Sequence, residues 1–179
     1  MGSKFIIKKM EYEDIPKILS VLKEPYMLER GDYYSNYFNR CLIEMNNSER
    51  VSFVAFLDNE VVGYVHIIFK SDYPYFQESN IPEINDLYVV PSVRKNGVGK
   101  ELISCCEAYA TEHNFEKIGL GVGLYRGYAS AQRLYVKNGY LPDGNGLMYY
   151  NKEVEPGKQV LVDDELLLYL YKELFYINR

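Results

Sequence analysis

Tryptophan is absent from this 179-residue chain, cysteine occurs three times and histidine twice. Cys41, Cys105 and Cys106 show no metal-ligand spacing, and the adjacent pair cannot close an unstrained disulfide on itself. All three read as reduced, mostly buried small apolar residues. His66 and His113 are too far apart in pattern to suggest a metal pair, and each is expected at the surface or with its hydrogen bonds satisfied. No apolar run approaches the ~18 residues that a membrane-spanning helix requires. No apolar region follows Met1-Gly2-Ser3-Lys4-Phe5 either, so a soluble cytoplasmic protein is expected. Met1-Gly2-Ser3 opens like a myristoylation signal, but Ile6 stands where that signal asks for Ser or Thr. Positive charge is in deficit: the formal net charge of -5 argues against a general nucleic-acid or membrane-surface binder and leaves room for a cationic substrate such as an amine. There is no internal repeat, low-complexity tract or linker. The length and the 47% apolar content fit one domain, residues 1–179, with a real core.

The chain opens with a strand, Phe5 to Lys9, and a helix over Tyr12 to Leu22 that spaces Ile15, Ile18, Leu19 and Leu22 along one face and stops at Pro25. A second helix, Tyr33 to Met45, carries Tyr34, Tyr37, Phe38, Cys41, Leu42 and Met45 on one broad face. Val51 to Leu57 and Val61 to Phe69 form a hairpin across Asp58-Asn59-Glu60. Ser71 to Pro82 is aromatic, proline-bearing and aperiodic, and reads as a loop with exposed aromatics bordering a site. Ile84 to Val90 is a third long strand, followed by a helix from about Val98 to His113 whose buried stripe is Val98, Leu102, Cys105, Cys106 and Tyr109. Lys117 to Gly123 places Gly119, Gly121 and Gly123 on one strand face, so a ligand or another backbone is expected close against it. Tyr128 to Asn138 is helical with Gly139 as C-terminal cap. An interrupted strand then runs from Tyr140 to Tyr150. Leu166 to Leu174 is compatible with helix or strand by composition and is taken as a buried strand. The order implies an α/β (α+β) domain, a mixed sheet flanked by helices.

One stretch organises the rest. Leu87-Tyr88-Val89-Val90 is an apolar strand ended by Pro91, and Arg94-Lys95-Asn96-Gly97-Val98-Gly99-Lys100 turns through two glycines into a helix. Amides at a helix start have no partner inside the helix, and the helix dipole adds partial positive charge there. With Arg94 and Lys95 alongside, the stretch is a cradle for an anion, a pyrophosphate in preference to a carboxylate. The Gly-x-x-x-x-Gly-Lys-Ser/Thr loop and the dinucleotide glycine triplet are both missing, which weakens any other nucleotide reading.

Arg94-Lys95-Asn96-Gly97-Val98-Gly99 after a strand, and further on Ala131-Gln132-Arg133-Leu134-Tyr135-Val136-Lys137-Asn138-Gly139-Tyr140, resemble the two motifs of the GNAT superfamily of acyl-CoA-dependent N-acetyltransferases. The resemblance covers nearly the whole chain. It implies a mostly antiparallel sheet with a splayed strand pair for CoA, the Ile84 strand parting from the Lys117 strand. It also implies acetyl-CoA as cosubstrate, its pyrophosphate on the amides of Lys95, Asn96, Gly97, Val98, Gly99 and Lys100, and its pantetheine arm on the main chain of Leu87, Tyr88 and Val89. Tyr135 takes the family's proton-donor position, suited to a phenol that is mostly protonated at neutral pH. Glu83 and Asp86 flank the strand start, where several members carry a carboxylate base. On a regular strand they face opposite sides, which favours Glu83 unless a bulge reverses the parity. Tyr128 stands where many relatives carry an Asn that bonds pantetheine, so that contact is not carried over. The implied activity is acetyl transfer to a small-molecule or peptide amine by direct attack. A catalytically silent CoA-binding sensor is the alternative. A homodimer through the final strand is compatible with this kind of sheet.

Overall fold

In the computed structural model the described residues are 5–23, 27, 30 and 32–174. The expected helix stop at Pro25 and the Met1-Gly2-Ser3 signal lie outside them. The chain divides into two compact units, Met1–Ile68 with Asp86–Cys106, and Phe69–Asn85 with Glu107–Arg179.

The first unit holds β1 (Ile6–Lys9), a 3-10 turn at Tyr12–Asp14, α1 (Ile15–Val21), α2 (Tyr33–Asn46), β2 (Arg50–Leu57) and β3 (Glu60–Ile68). It also takes residues 86–89 of β4 (Glu83–Val89) and the start of α3 (Val98–Glu112). Its strands lie in the order β1-β2-β3-β4. The hairpin closes more tightly than its sequence suggests, because Leu57 already pairs with Glu60. Its two turn residues, Asp58 (φ 51°) and Asn59 (φ 68°), are both left-handed, a conformation that Asp and Asn tolerate and a twisted hairpin requires. Alternation along β3 sends neighbouring residues to opposite faces. Tyr64 packs with Ile18, Phe38 and Cys41 of the two helices, Val54 and Tyr88. Gly63 faces the other way, where a Cβ would stand 2.6 Å from the Tyr88 carbonyl and 3.2 Å from Leu102 of α3. Glycine is required there because α3 and β4 press against the strand. The buried stripe of α3 is Val98, Leu102, Ile103, Cys106 and Ala110. Cys105 and Tyr109 are only half-buried, one helical step off the expected stripe.

The second unit holds α4 (Pro74–Glu78), residues 83–85 of β4, the end of α3, β5 (Lys117–Gly123), α5 (Ala129–Lys137), β6 (Leu141–Tyr149), β7 (Lys152–Glu153) and β8 (Leu166–Glu173). Strand order is β4-β5-β8-β6-β7. β5 and β4 are parallel, paired at Glu83 and Gly119, and the remaining neighbours are antiparallel. β8 therefore has β5 on one side and β6 on the other, and the final strand offers no free edge for a second copy. β6 is broken in register between Pro142 and Leu147, as its Pro-Asp-Gly-Asn-Gly insert suggests. Gly139 caps α5 at φ 87°.

Two sequence expectations are corrected here together. Ser71 to Pro82 is no exposed loop: it contains α4, and Tyr73, Phe76 and Ile81 are buried with Met148 and Tyr169. The close approach expected at the β5 glycines comes chiefly from aromatic rings, with the Leu170 carbonyl also 3.1 Å from a Cβ at Gly119. A Cβ at Gly119 would meet the Phe76 ring at 2.3 Å, one at Gly121 the Tyr169 ring at 3.1 Å, and one at Gly123 the Tyr128 ring at 2.4 Å. The glycines make room for aromatic rings, and aperiodic aromatics that seem suited to a surface loop become core because β5 gives up its side chains to receive them. On the opposite face Ile118, Leu120 and Val122 are buried.

Gly119→Ala is thus expected to destabilise the protein by about 1–3 kcal/mol through overpacking. In a Phe76→Leu background the same change should cost clearly less. Chemical denaturation of the two single variants and the double variant measures this coupling; equal costs in both backgrounds would show that the ring does not set the glycine requirement.

Candidate active site

The anion cradle forms as a short 3-10 turn at Pro91–Val93, an exposed bend, and the start of α3. The bend is made by Lys95 (φ 67°) and Gly97 (φ 96°); Gly99 lies inside the helix, so only one of the two glycines serves the turn. Glu101 N donates to Gly97 O at 3.0 Å, so the Val98, Gly99 and Lys100 amides precede the helix's own bonding. Nothing lies within 4 Å of a Cβ placed on Gly97. Arg94 fastens the bend to the strand, its Nε donating to Val89 O at 2.9 Å and its guanidinium lying 6.0 Å from the Tyr88 ring centre.

The two candidate carboxylates have separate surroundings. Glu83 lies in the second unit, buried, with Ser71 Oγ donating to Oε2 and Asn85 Nδ2 donating to Oε1 at 3.5 Å. Burial pushes its pKa above the ordinary value of 4.5, opposed by those two hydrogen bonds. Asp86 lies in the first unit and adopts φ 49°. A left-handed residue inside a strand departs from the regular geometry on which the parity argument for Glu83 rests. Its side chain keeps 39% of its surface exposed while lying among buried polar groups.

Those groups form one network. Ser52 on β2 pairs directly with His66 on β3, which puts the Ser52 Oγ 2.6 Å from His66 Nδ1. His66 is completely buried, ringed by Tyr37, Phe38 and Tyr64 with centroids at 5.7, 6.2 and 5.5 Å, and its Nε2 stops 3.9 Å from Asp86 Oδ2. Among the described residues neither His66 Nε2 nor the Tyr64 hydroxyl closes a hydrogen bond. Arg50 donates to Glu44 at 2.6 Å and reaches the Tyr37 hydroxyl at 3.5 Å. Burial raises the Asp86 pKa, against the nearby Tyr37 and Tyr64 hydroxyls and the charge of Arg50. Burial and the same Arg50 charge push His66 well below the usual histidine value, so its imidazole is neutral. Burial lifts the Cys41 thiol to about 11, which suits an unreactive residue.

Sequence reading placed Asp86 among the candidates and missed the rest of this network. The available signal was the hairpin register: counting back from a turn at Asp58-Asn59-Glu60 already sets Ser52 opposite His66, and in the structure the tighter turn and a register shift between Ala55 and Phe56 together keep that pairing. Tyr135, the expected proton donor, is buried on α5 with its ring edge-on to Tyr140 at 6.0 Å. Tyr128 packs over Gly123 and donates to Asp164 at 3.0 Å beside Tyr125, which donates at 2.6 Å. Its hydroxyl is committed within the unit.

Glu83 makes a stability prediction. A carboxyl whose folded pKa exceeds its unfolded one holds its proton more tightly in the fold. Its contribution is therefore most favourable below pH 4.5 and declines as pH rises through the folded value. Glu83→Gln, which keeps an acceptor for Ser71, should flatten this decline in denaturation midpoints measured from acid to neutral pH. An unchanged pH dependence would mean that Glu83 titrates normally.

Residues 15–140 match the model described as "Acetyltransferase (GNAT) family". The chain is 30% identical over 109 residues to the uncharacterized N-acetyltransferase YhfO of Bacillus subtilis, covering 59% of this chain and 68% of that protein. It is also 30% identical over 135 residues to an uncharacterized N-acetyltransferase of Archaeoglobus fulgidus, covering 72% and 88%. A crystal structure of an aminoglycoside 6'-N-acetyltransferase complexed with coenzyme A shares the fold with a TM-score of 0.70 at 18% identity, covering 97% of this chain and 99% of that one. No helix among the described residues is long and apolar enough to cross a membrane. With a family match over most of its length, the two motifs in order and the mixed, mostly antiparallel sheet flanked by helices, the chain belongs to the GNAT family of N-acetyltransferases.

Proposed function

We propose that this protein transfers an acetyl group from acetyl-CoA to a primary amine by direct attack, as a cytoplasmic enzyme with residues 1–179 acting as one catalytic domain. The observation that carries the reading is the bend between β4 and α3, where Gly97 is left-handed with open space over its Cα and a helix start presents unbonded amides among exposed Arg94, Lys95, Asn96 and Lys100. A side chain at position 97 would fill the space that a phosphate needs, and the donors are of the kind that hold a pyrophosphate. The amides of Lys95, Asn96, Gly97, Val98, Gly99 and Lys100 are assigned the phosphates, and the main chain of Leu87, Tyr88 and Val89 the pantetheine arm. A structurally similar aminoglycoside enzyme is complexed with coenzyme A, which supports coenzyme A as the ligand.

Bound there, acetyl-CoA supplies a thioester, an acyl group activated toward amines. The protein's task is proton management. We assign Asp86 the proton of the incoming ammonium, taken directly or through water. Its carboxylate is partly exposed, and burial raises its basicity, whereas both oxygens of the Glu83 carboxylate already accept hydrogen bonds in the interior. Tyr135 is assigned the proton that neutralises the departing thiolate. The acidic net charge and the carboxylate favour a cationic acceptor, a small molecule or peptide carrying a primary amine. Neither nucleic acid nor membrane is assigned a part.

Incubation with acetyl-CoA and a panel of amines, following free thiol, tests the activity. Release of thiol with at least one amine is expected; tight CoA binding with none would select the silent sensor. With the best amine, Asp86→Asn should lower kcat/KM by about 10²–10⁴-fold and Glu83→Gln by only a few-fold; the reverse order would return the base to Glu83. Tyr135→Phe should lower kcat while leaving CoA affinity nearly unchanged. Gly97→Ala, which forces a left-handed alanine into the cradle, should weaken CoA binding roughly tenfold with little effect on kcat at saturation. Calorimetric CoA titrations of both variants separate the two roles, and unchanged binding in Gly97→Ala would remove the cradle from the phosphate site.

A further inference from the structure

We propose that Ser52 and His66 are positioning residues for Asp86: the Ser52 hydroxyl donates to Nδ1, which fixes the neutral imidazole as its Nε2–H tautomer and aims that N–H at the carboxylate. The inference rests on the reading of Asp86 as proton acceptor and deepens it. Three observations carry it. The Ser52 to His66 contact is 2.6 Å and is dictated by cross-strand register. His66 Nε2 is fully buried, closes no hydrogen bond and lies 3.9 Å from Asp86 Oδ2. Asp86 itself is held within β4 at φ 49°.

Electrostatics selects the tautomer. A neutral imidazole carries one N–H. With the proton on Nδ1, the Nε2 lone pair would face a carboxylate, two acceptors opposed in a buried site. With the proton on Nε2, Ser52 supplies the hydrogen for Nδ1 and the carboxylate meets a donor. A doubly protonated ring is disfavoured by complete burial and by Arg50. The surrounding elements agree. From β2 come Ser52 and Arg50, from α2 Tyr37, Cys41 and the Glu44 that binds Arg50, from β3 Tyr64, and from β4 Asp86 itself. Arg50 carries the cationic charge of this group, and Glu44 largely balances it. The carboxylate thus faces neutral donors from His66, Tyr64 and Tyr37, which orient it without quenching its basicity as a salt bridge would. At 3.9 Å the His66 contact exceeds hydrogen-bond length, and contacts of this kind shorten when a substrate draws the carboxylate into line.

The chain has two histidines, so imidazole-labelled protein gives two sets of ring-nitrogen signals, and a His113→Gln variant assigns them. For His66 the Nε2–H neutral tautomer is expected throughout about pH 5 to 8, with a nitrogen shift that follows ionisation of Asp86 and disappears in Asp86→Asn. An Nδ1–H tautomer, a second proton on the ring, or indifference to Asp86→Asn would each overturn the proposal. This measurement needs no turnover. The expected spectra with no amine acetylated would leave the pairing standing and remove Asp86's catalytic role. Thiol release with the wrong tautomer would do the opposite. In the active enzyme, His66→Phe should lower kcat/KM roughly tenfold, the scale of one hydrogen bond to a charged group, and move its acid limb to higher pH. His66→Gln, which restores an N–H, should recover most of both effects. Equal losses in the two variants with no shift of the limb would mark His66 as a packing residue only.

Discussion

Asp86 lies within a β-strand at φ 49°, and the chemistry proposed for the first unit depends on the carboxylate held there. The left-handed conformation costs on the order of 1–3 kcal/mol for a residue other than glycine, and Asp is among the residues that adopt it most readily. Asp86 places a carboxylate beside groups that β2, β3 and α2 have already gathered: Ser52 and His66 by register, Tyr37 by helical spacing, and Arg50 held by Glu44. The surrounding packing sustains the strain, because Tyr88 two residues on is buried in the core of the unit and Gly63 lets the strand approach closely.

A second constraint shapes the other unit. Three alternating glycines on β5 remove one layer of side chains from the sheet, and the vacancy is filled by Phe76, Tyr169 and Tyr128. This exchange makes a core from residues whose order along the chain has no period. Tyr73 stacks on Tyr169 with centroids 3.8 Å apart and donates to Asp143 at 2.6 Å. Ser71, two residues before it, donates to Glu83 and accepts the Tyr73 amide. Glu83 is thereby drawn into the support of this aromatic cluster, which accounts for its burial.

The difference between what sequence reading reached and what it missed follows from the range of the interactions. Helices α1 and α2, the hairpin, the Gly139 cap and the β5 boundaries rest on local periodicity and turn chemistry, and their limits agree with the structure to within a few residues. The cradle was legible for the same reason, since a strand, a bend and a helix start are contiguous. Its one error, crediting Gly99 with the turn, arose because composition shows which residue has freedom and not which residue uses it: Lys95 takes the left-handed position. The failures are non-local. Phe76 and Gly119 are complementary only once the α4 segment folds back on β5. Ser52 and His66 become partners only once the two hairpin strands pair, a register shift between Ala55 and Phe56 offsetting the tighter turn. The left-handed backbone of Asp86 inside β4 is likewise set by its surroundings and not by a local sequence pattern.

The two carboxylates show why a raised pKa does not by itself identify a base. Burial raises both, but Glu83 is met by a hydroxyl and an amide that satisfy both its oxygens, so its proton affinity is spent in holding the fold. Asp86 is met by donors that stop short: a histidine nitrogen at 3.9 Å and a tyrosine hydroxyl with no bonded partner. Unsatisfied buried donors are costly, and they are tolerated where a further group completes the arrangement. On the proposed reading, the exposed part of the Asp86 carboxylate is left to accept from an incoming ammonium, which also brings a positive charge. Acceptor capacity left open to solvent, more than a raised pKa, is what distinguishes the proposed base from the satisfied acid of the same strand.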